Sequence, residues 1–364
     1  MRAALDLAAR ARGRTSPNPM VGAVVVRDGR VVGRGWHERA GAPHAEIVAL
    51  AEAGEAARGA TLYVTLEPCV HEGRTPPCAP VVLASGVARV VVASGDPDPR
   101  ASGRGIAFLR EAGVPVDVGV LEGEARRLNE AYLHRVRTGR SFGVLKAAVT
   151  LDGRLGADGG DSRWITGEAA RARAHELRDV HDAVLIGRGT LEKDDPSLDV
   201  RLPGDRRHPV AAVCDSNLAV PAERRLYERA AKGARVLVFA RDDAPAEREA
   251  ALAARGVEVA RVAPDERGRV DLRAVFAELA RRGLDSAMVE GGEAMHTAAL
   301  RAGLIGRAYV FVAPALLGGC HGPRLVGDLG RRAIADALRL VDPEVEVLPP
   351  DVLVTGRLAA AEGD

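Results

Sequence analysis

Strand-like runs alternate with helix-like runs along the whole chain, and that alternation confines it to α/β architectures. Residues 21–26 and 30–35 are extended runs flanking Asp28-Gly29, a pair suited to the positive backbone angles of a two-residue hairpin turn. Residues 45–57 carry a helical pattern, 61–66 alternate as a strand, 79–85 are helical and 88–93 form an apolar strand. Helix returns at 106–112 and extended chain at 114–120. A charged helical stretch then covers 122–137, before Thr138-Gly139-Arg140-Ser141 breaks it. A second α/β series follows, clearest at 144–150, 169–178, 183–187, 210–214, 235–240, 287–290 and 308–312. At 364 residues the chain exceeds what one hydrophobic core usually serves, so the break marks a boundary between two domains, 1–141 and 142–364.

Composition narrows the function. A net charge of +1 attracts neither nucleic acid nor an anionic membrane, and aromatics at 3% are too few for a base-stacking platform. No uncharged apolar run reaches the roughly 18 residues of a membrane span. Small-molecule substrates are the expected partners. Residues 1–14 are Arg-rich, but they contain Asp6 and repeat Leu5, Ala8, Ala9 and Arg12 at helical spacing. They read as an ordinary first helix rather than a transit peptide, which leaves the cytoplasm as the expected location. Four cysteines are too few for a disulfide framework in a chain of this length and point to metal or core roles.

His44-Ala45-Glu46 precedes Pro68-Cys69 and Pro77-Cys78. Residues i and i+2 point about 200° apart in a regular helix. His44 and Glu46 therefore share a site only if His44 stands at a helix start, off the helical track; Pro43 favours such a start. Cys69 is expected to end a strand and Cys78 to lie near a helix N-terminus, where the dipole favours a thiolate. One imidazole and two thiolates leave the fourth position of a tetrahedral Zn²⁺ open for water, the pattern of a catalytic site. Glu46 is then free to carry a proton from that water to a leaving amine. His71 and Arg74, between the metal ligands, suit an anionic substrate or belong to a solvated loop.

His-x-Glu followed by Pro-Cys and a second cysteine resembles the cytidine-deaminase-like zinc deaminases. Eight residues separate Cys69 from Cys78 where most of those enzymes have two. That longer loop, together with Pro17-Asn18-Pro19-Met20-Val21-Gly22, is similar to the deaminase half of the bifunctional riboflavin-biosynthesis deaminase–reductases. The spacing, like the charge and the scarce aromatics, speaks against an RNA or free-nucleoside deaminase. The resemblance implies His44, Cys69 and Cys78 as ligands of one Zn²⁺ per chain, and Glu46 as the catalytic proton shuttle. It also implies His71 and Arg74 at the substrate phosphate, and Asn18 at the pyrimidine. Val70-His71-Glu72 and Asp98 depart from the family, which has Ser-His-(His or Tyr) and an asparagine there.

The second half carries no complete Gly-x-Gly-x-x-Gly fingerprint, since Gly187-Arg188-Gly189 lacks the third glycine. Gly291-Gly292 after a strand is either a plain turn or a close approach to phosphate. Taken alone, Arg178 reads as a solvated helix residue and Trp164 as core. Cys214 and Cys320 read as non-ligands. The ordered segments Leu145–Gly153, Gly160–Thr166, Gly187–Thr190, Asp194–Leu198, Asp215-Ser216 and Val289–Gly292 are similar to the reductase half of the same bifunctional family. The family likeness implies an N-terminal cytidine-deaminase-like α/β/α domain and a C-terminal dihydrofolate-reductase-like α/β domain that uses NADPH. Val149, Trp164, Thr190, Asp194, Ser216, Gly292, Glu293, Ala294, Met295, His296, Thr297 and Ala298 are implied at the cofactor. Ser162, Arg178, Leu198, Arg201 and Glu290 are implied at the substrate. Pro314-Ala315 and Ile305-Gly306-Arg307 depart from the family's Pro-Lys and Val-Asp-Glu. The implied activity is zinc-dependent deamination of 2,5-diamino-6-ribosylamino-4(3H)-pyrimidinone 5′-phosphate, then NADPH-dependent reduction of its ribosyl group to give 5-amino-6-(5-phosphoribitylamino)uracil. A homo-oligomer is expected.

Overall fold

The computed structural model describes residues 1–72, 76–204 and 206–359, in two compact units, Met1–Gly139 and Arg140–Asp364. In the first, α1 (Arg2–Ala9) leads into the hairpin β1 (Gly22–Arg27) and β2 (Arg30–Trp36). Asp28 at φ 50° and Gly29 at φ 73° make the turn between them, as the Asp-Gly pair requires. There follow α2 (Ala45–Ala53), β3 (Thr61–Val64), α3 (Cys78–Ala84), β4 (Arg89–Val92), α4 (Arg104–Glu111), β5 (Val116–Val118), α5 (Glu122–Leu128) and α6 (Glu130–Thr138). The sheet order is β2-β1-β3-β4-β5, antiparallel at the hairpin and parallel from β3 to β5.

One sheet face packs Ala23, Val25, Leu62, Val64, Val90 and Val92 against α2, α3 and α4. On the other face Val24 meets Ala4 and Leu7 of α1, and Ala93 meets Ala125 of α5. The unit is thus an α/β/α sandwich. The charged stretch at 122–137 is two helices, not one. Asn129 interrupts it because its side chain is committed elsewhere: Oδ1 accepts from Met20 N at 2.8 Å, and Nδ2 donates to Met20 O at 2.9 Å.

The second unit begins with β6 (Phe142–Thr150), α7 (Glu168–Val180), β7 (Ala183–Gly187), α8 (Arg188–Asp194) and β8 (Val210–Cys214). It continues with α9 (Arg225–Ala231), β9 (Val236–Arg241), α10 (Ala246–Ala253), β10 (Glu258–Val262), α11 (Leu272–Arg281), β11 (Ser286–Val289) and α12 (Glu293–Arg301). β12 (Ile305–Ala313), β13 (Leu340–Leu348) and β14 (Asp351–Leu358) complete it. The nine-stranded sheet has the order β10-β9-β8-β7-β11-β6-β12-β14-β13. It is parallel from β10 to β12, and β14 pairs antiparallel with both β12 and β13. β6, β7 and β11 read as near-continuous apolar runs because both their faces are covered. No helix among the described residues is long and apolar enough to cross a membrane.

Candidate active sites

His44 is the N-cap of α2, at φ −72° and ψ 159°, and Glu46 lies in the first helical turn. The pair can therefore converge. α2 lies flush on β2 because Gly33 and Gly35 present no side chain; a Cβ on Gly35 would stand 2.6 Å from Ala49 N and 2.8 Å from Val48 Cβ. Cys78 opens α3 behind Pro77. Cys69 does not end a strand as expected: the β3 ladder stops at Val64, and Cys69 sits in the loop beyond. That loop is tied to α3 by Ala79 N donating to Cys69 O at 3.0 Å and Cys78 N to Cys69 Sγ at 3.3 Å.

His44 Nδ1 lies 3.0 Å from Cys78 Sγ and 3.6 Å from Cys69 Sγ, and the three donor atoms fall within 4.8 Å of one another. A tetrahedral zinc, with Zn–S about 2.3 Å and Zn–N about 2.0 Å, sets its ligand atoms roughly 3.5 Å apart, so this donor set fits it. A hydrogen bond shared with Cys78 takes the Cys69 thiol down to about 4 against the pull of burial, with His44 adding to the effect. The same bond, and then burial, hold Cys78 up. Burial pushes the Glu46 carboxyl up to about 7. A group with that proton affinity can take up and give back a proton near neutrality.

His44, Glu46 and Cys69 open on a cavity of about 440 Å³ lined also by Asn18, His37, Glu67, His71, Asp96 and Asp98. His37 Nδ1 faces Pro43 O at 3.1 Å; a carbonyl only accepts, so Nδ1 carries the proton. Nε2 is then an acceptor for Asn18 Nδ2 at 3.0 Å. The His37 ring stands edge-on to that of His44, centroids 5.3 Å apart. His71 Nδ1 is buried with no protein partner among the described residues. Arg74 lies outside the described residues. The Asp98 carboxyl is held below its usual range by hydrogen bonds from Arg100, whose Nη2 approaches to 2.6 Å. The departure from asparagine is therefore matched by a cation of the same loop. Tyr132 donates to Asp96 at 2.9 Å. Asp96 opens the Asp96-Pro97-Asp98-Pro99 segment that resembles the family's Asp-Pro-Asn-Pro, whereas His37, Glu67 and Tyr132 carry no sequence signal of their own and are brought here only by the folding of distant segments.

In the second unit several of the expected cofactor residues follow the carboxyl ends of the adjacent strands β7, β11 and β6, the end of an open α/β sheet at which ligands bind. Val149 lies near the end of β6, Thr190 and Asp194 on α8 after β7, and Gly292 is the N-cap of α12, which carries Glu293, Ala294, Met295, His296, Thr297 and Ala298. Not all of them present a free side chain. His296 is fully buried, with Nδ1 at 3.0 Å from Leu325 O; Thr297 donates to Glu293 O, and Ser216 Oγ accepts from Val270 N at 3.1 Å. Trp164 is not core: it is 68% exposed, with Arg171 over its ring at 4.8 Å.

Arg178 is not a solvated helix residue either. Its Nε and Nη2 donate to Glu290 at 2.6 and 2.8 Å, and Nη1 donates to Asp199 O at 3.0 Å. Lys146 Nζ completes the cluster 3.4 Å from Glu290 Oε2. Burial raises the Glu290 carboxyl, but Arg178 and Lys146 outweigh it and hold the group far down. Leu198 is buried beside this region, whereas Arg201 turns outward toward His175 and Asp199, and Ser162 sits in the loop before Trp164. Lys146 escaped the sequence reading, though one signal was present: the chain has three lysines, and this one lies inside an apolar strand. Cys214 is buried, which pushes its thiol up to about 12, and Cys320 is exposed.

Residues 1–94 match the cytidine and deoxycytidylate deaminase zinc-binding region, and residues 141–354 match the RibD C-terminal domain. The riboflavin biosynthesis protein RibD of Aquifex aeolicus is 43% identical over 354 residues, 97% of this chain and 96% of that protein. Its counterpart from Escherichia coli is 39% identical over 97% of this chain and 96% of its own length. Among solved structures, Acinetobacter baumannii RibD superposes with a TM-score of 0.88 at 35% identity, covering 98% of this chain and 97% of that one. A Thermotoga maritima diaminohydroxyphosphoribosylaminopyrimidine deaminase/5-amino-6-(5-phosphoribosylamino)uracil reductase gives 0.83 at 35% identity, covering 99% and 97%.

Proposed function

Because the chain belongs to the RibD family of bifunctional riboflavin-biosynthesis deaminase–reductases, we propose that residues 1–141 deaminate 2,5-diamino-6-ribosylamino-4(3H)-pyrimidinone 5′-phosphate and residues 142–364 then reduce the product with NADPH. The observation that carries the first step is the convergence of His44, Cys69 and Cys78 beside the buried Glu46. A zinc ion held by that donor set supplies Lewis-acid activation of water. Glu46 takes a proton from the attacking water and delivers it to the ring nitrogen and then to the departing amine, so that the C2 amino group leaves as ammonia. Asn18 faces the pyrimidine, and His71, whose buried Nδ1 has no protein partner among the described residues, faces the phosphate.

For the second step NADPH, when bound, would supply the hydride that reduces the ribosyl group. The segment from Gly292 through Ala298, with Val149, Trp164, Thr190, Asp194 and Ser216, holds the cofactor. Arg178, Arg201, Glu290, Ser162 and Leu198 hold the substrate, and Lys146 keeps Glu290 in place at 3.4 Å. The protein acts in the cytoplasm as a homo-oligomer.

The test is incubation of the purified full chain with the diamino substrate, with and without NADPH. Ammonia should appear in both cases, and absorbance of NADPH should fall only when deaminated product is present. NADPH oxidation with no ammonia release would overturn the order of steps; neither signal would overturn the substrate.

A further inference from the structure

Two buried glutamates line the deaminase cavity, Glu46 and Glu67, and they are 3% and 4% exposed. A proton shuttle needs a carboxylate oxygen it can offer. Glu67 has none to spare. Its Oε1 accepts from Gly105 N at 2.9 Å and Ile106 N at 3.2 Å; its Oε2 accepts from Gly103 N at 3.0 Å and Asp96 N at 3.3 Å. An ionised carboxylate has about four lone-pair sites, so these four backbone donors use it fully.

Those four amides belong to two places that matter to the site. Gly103, Gly105 and Ile106 are the start of α4, whose first-turn N–H groups have no partner within the helix. Asp96 is the cavity wall that receives the Tyr132 hydroxyl at 2.9 Å. Glu67 N also donates to Ser94 O at 3.0 Å, beyond the end of β4. Two residues further on stands Cys69. The fit is close from the helix side as well: a Cβ on Gly105 would overlap Pro68 O and stand 3.0 Å from Pro68 C. The Pro68 carbonyl and the Glu67 carboxylate therefore both lie directly against the first turn of α4.

We propose that Glu67 is a positioning residue of the deaminase: it locks the Glu67-Pro68-Cys69 segment to α4 and to the Asp96 wall, and so fixes the Cys69 ligand and the substrate wall in one unit. This rests on the deaminase reading of the cavity. Glutamine in its place sets an NH₂ group against two backbone donors that have no other acceptor among the described residues, whichever way the amide turns. The Cys69 sulfur and the Asp96 wall lose their common anchor, and metal geometry and substrate binding loosen together.

The experiment compares Glu67→Gln, Glu46→Gln and wild type as full chains, at a temperature where the reductase activity of all three is unchanged. Cobalt(II) replaces zinc so that the sulfur-to-metal absorption bands report ligand geometry, and metal affinity is measured with a chelator. Glu67→Gln should alter the bands, weaken metal binding about 10- to 100-fold and raise KM for the diamino substrate. Glu46→Gln should keep the bands, the affinity and KM, and lose kcat. A Glu67→Gln protein with wild-type bands, affinity and KM overturns the proposal, as does one that loses only kcat, which would make Glu67 a second proton carrier. Should it not accumulate as folded protein, Gly105→Ala displaces the Pro68 carbonyl with the carboxylate intact, and the same readouts decide. Wild type that neither binds the metal nor deaminates fails the deaminase reading itself, a result distinct from these.

Discussion

Replacing Gly35 by alanine tests how closely the zinc-site helix must lie on the sheet. A Cβ there would stand 2.8 Å from Val48 Cβ and 2.6 Å from Ala49 N, and overlap Ala45 O still more tightly. Carbon–carbon contacts are comfortable at about 3.5–4.0 Å, so α2 must retreat by about 1 Å. Overpacking of this kind costs about 1–3 kcal/mol. For a unit of this size that lowers Tm by roughly 3–12 °C. The functional loss should exceed what stability alone accounts for. Ala45 lies between His44 and Glu46, so the retreat carries a metal ligand and the proton shuttle with it. A displacement of about 1 Å in a reacting group costs about 100-fold in rate. The assay is deaminase kcat on metal-loaded full chain well below Tm, with reduction of the pre-deaminated uracil substrate as the control and calorimetry for Tm. Gly123→Ala is the comparison: it lies within α5 with nothing inside 4 Å of its Cβ, so it should leave deamination intact and be neutral or stabilising by up to about 1 kcal/mol. Gly35→Ala with unchanged Tm and deamination within about twofold of wild type would refute the reasoning, because the overlaps would then be absorbed without moving α2.

Glu46→Gln should lower deamination by about 100- to 10,000-fold while zinc content and reductase activity stay at wild-type levels, because the amide keeps the shape but cannot accept the proton; retained ammonia release would remove Glu46 from that role. Cys69→Ser and Cys78→Ser should each lose the metal in elemental analysis of protein purified without chelator, and full zinc content in either would sink the ligand set. Glu290→Gln should destabilise the second unit by about 3–5 kcal/mol in denaturant unfolding at neutral pH, since it strands the buried charges of Arg178 and Lys146. The folded Glu290 carboxyl lies below its ordinary value, so its contribution is complete above the unfolded pKa of about 4.3 and is lost as pH falls through the lower folded value. Wild type should therefore lose its advantage over Glu290→Gln in strong acid, and a constant gap between them across that range would contradict the ion-pair account.

Local chemistry explains what the sequence made legible. Asp28-Gly29 announces its turn because both residues tolerate positive φ, and His44 is readable as an N-cap because only there can it meet Glu46. The three metal donors could be named from spacing because each is set by a short element: a helix cap, a loop after a strand, a helix start. What stayed hidden depends on long-range partners. Asn129 looks helical until Met20, more than a hundred residues earlier, claims its side chain. Arg178 reads as a surface residue until Glu290 arrives from β11 to neutralise it. Glu67 is one carboxylate among 50 acidic residues, and its role exists only once α4 and the Asp96 loop converge on it. Trp164 misleads in the opposite direction, since its large apolar ring lies mostly in solvent, with only the Arg171 guanidinium over one face and no core around it.

The chain has two tryptophans, and the fold deals one to each unit. Trp36, half-buried at the end of β2, has Arg10 at 5.1 Å from its ring; Trp164 is largely open to water in the second unit. Intrinsic fluorescence is therefore a two-channel signal without any label. Trp36→Phe leaves an emitter that reports the reductase unit alone, and Trp164→Phe leaves one that reports the deaminase unit alone. Unfolding of the metal-site unit can then be followed in the Trp164→Phe protein and unfolding of the second unit in the Trp36→Phe protein, each from a single emitter.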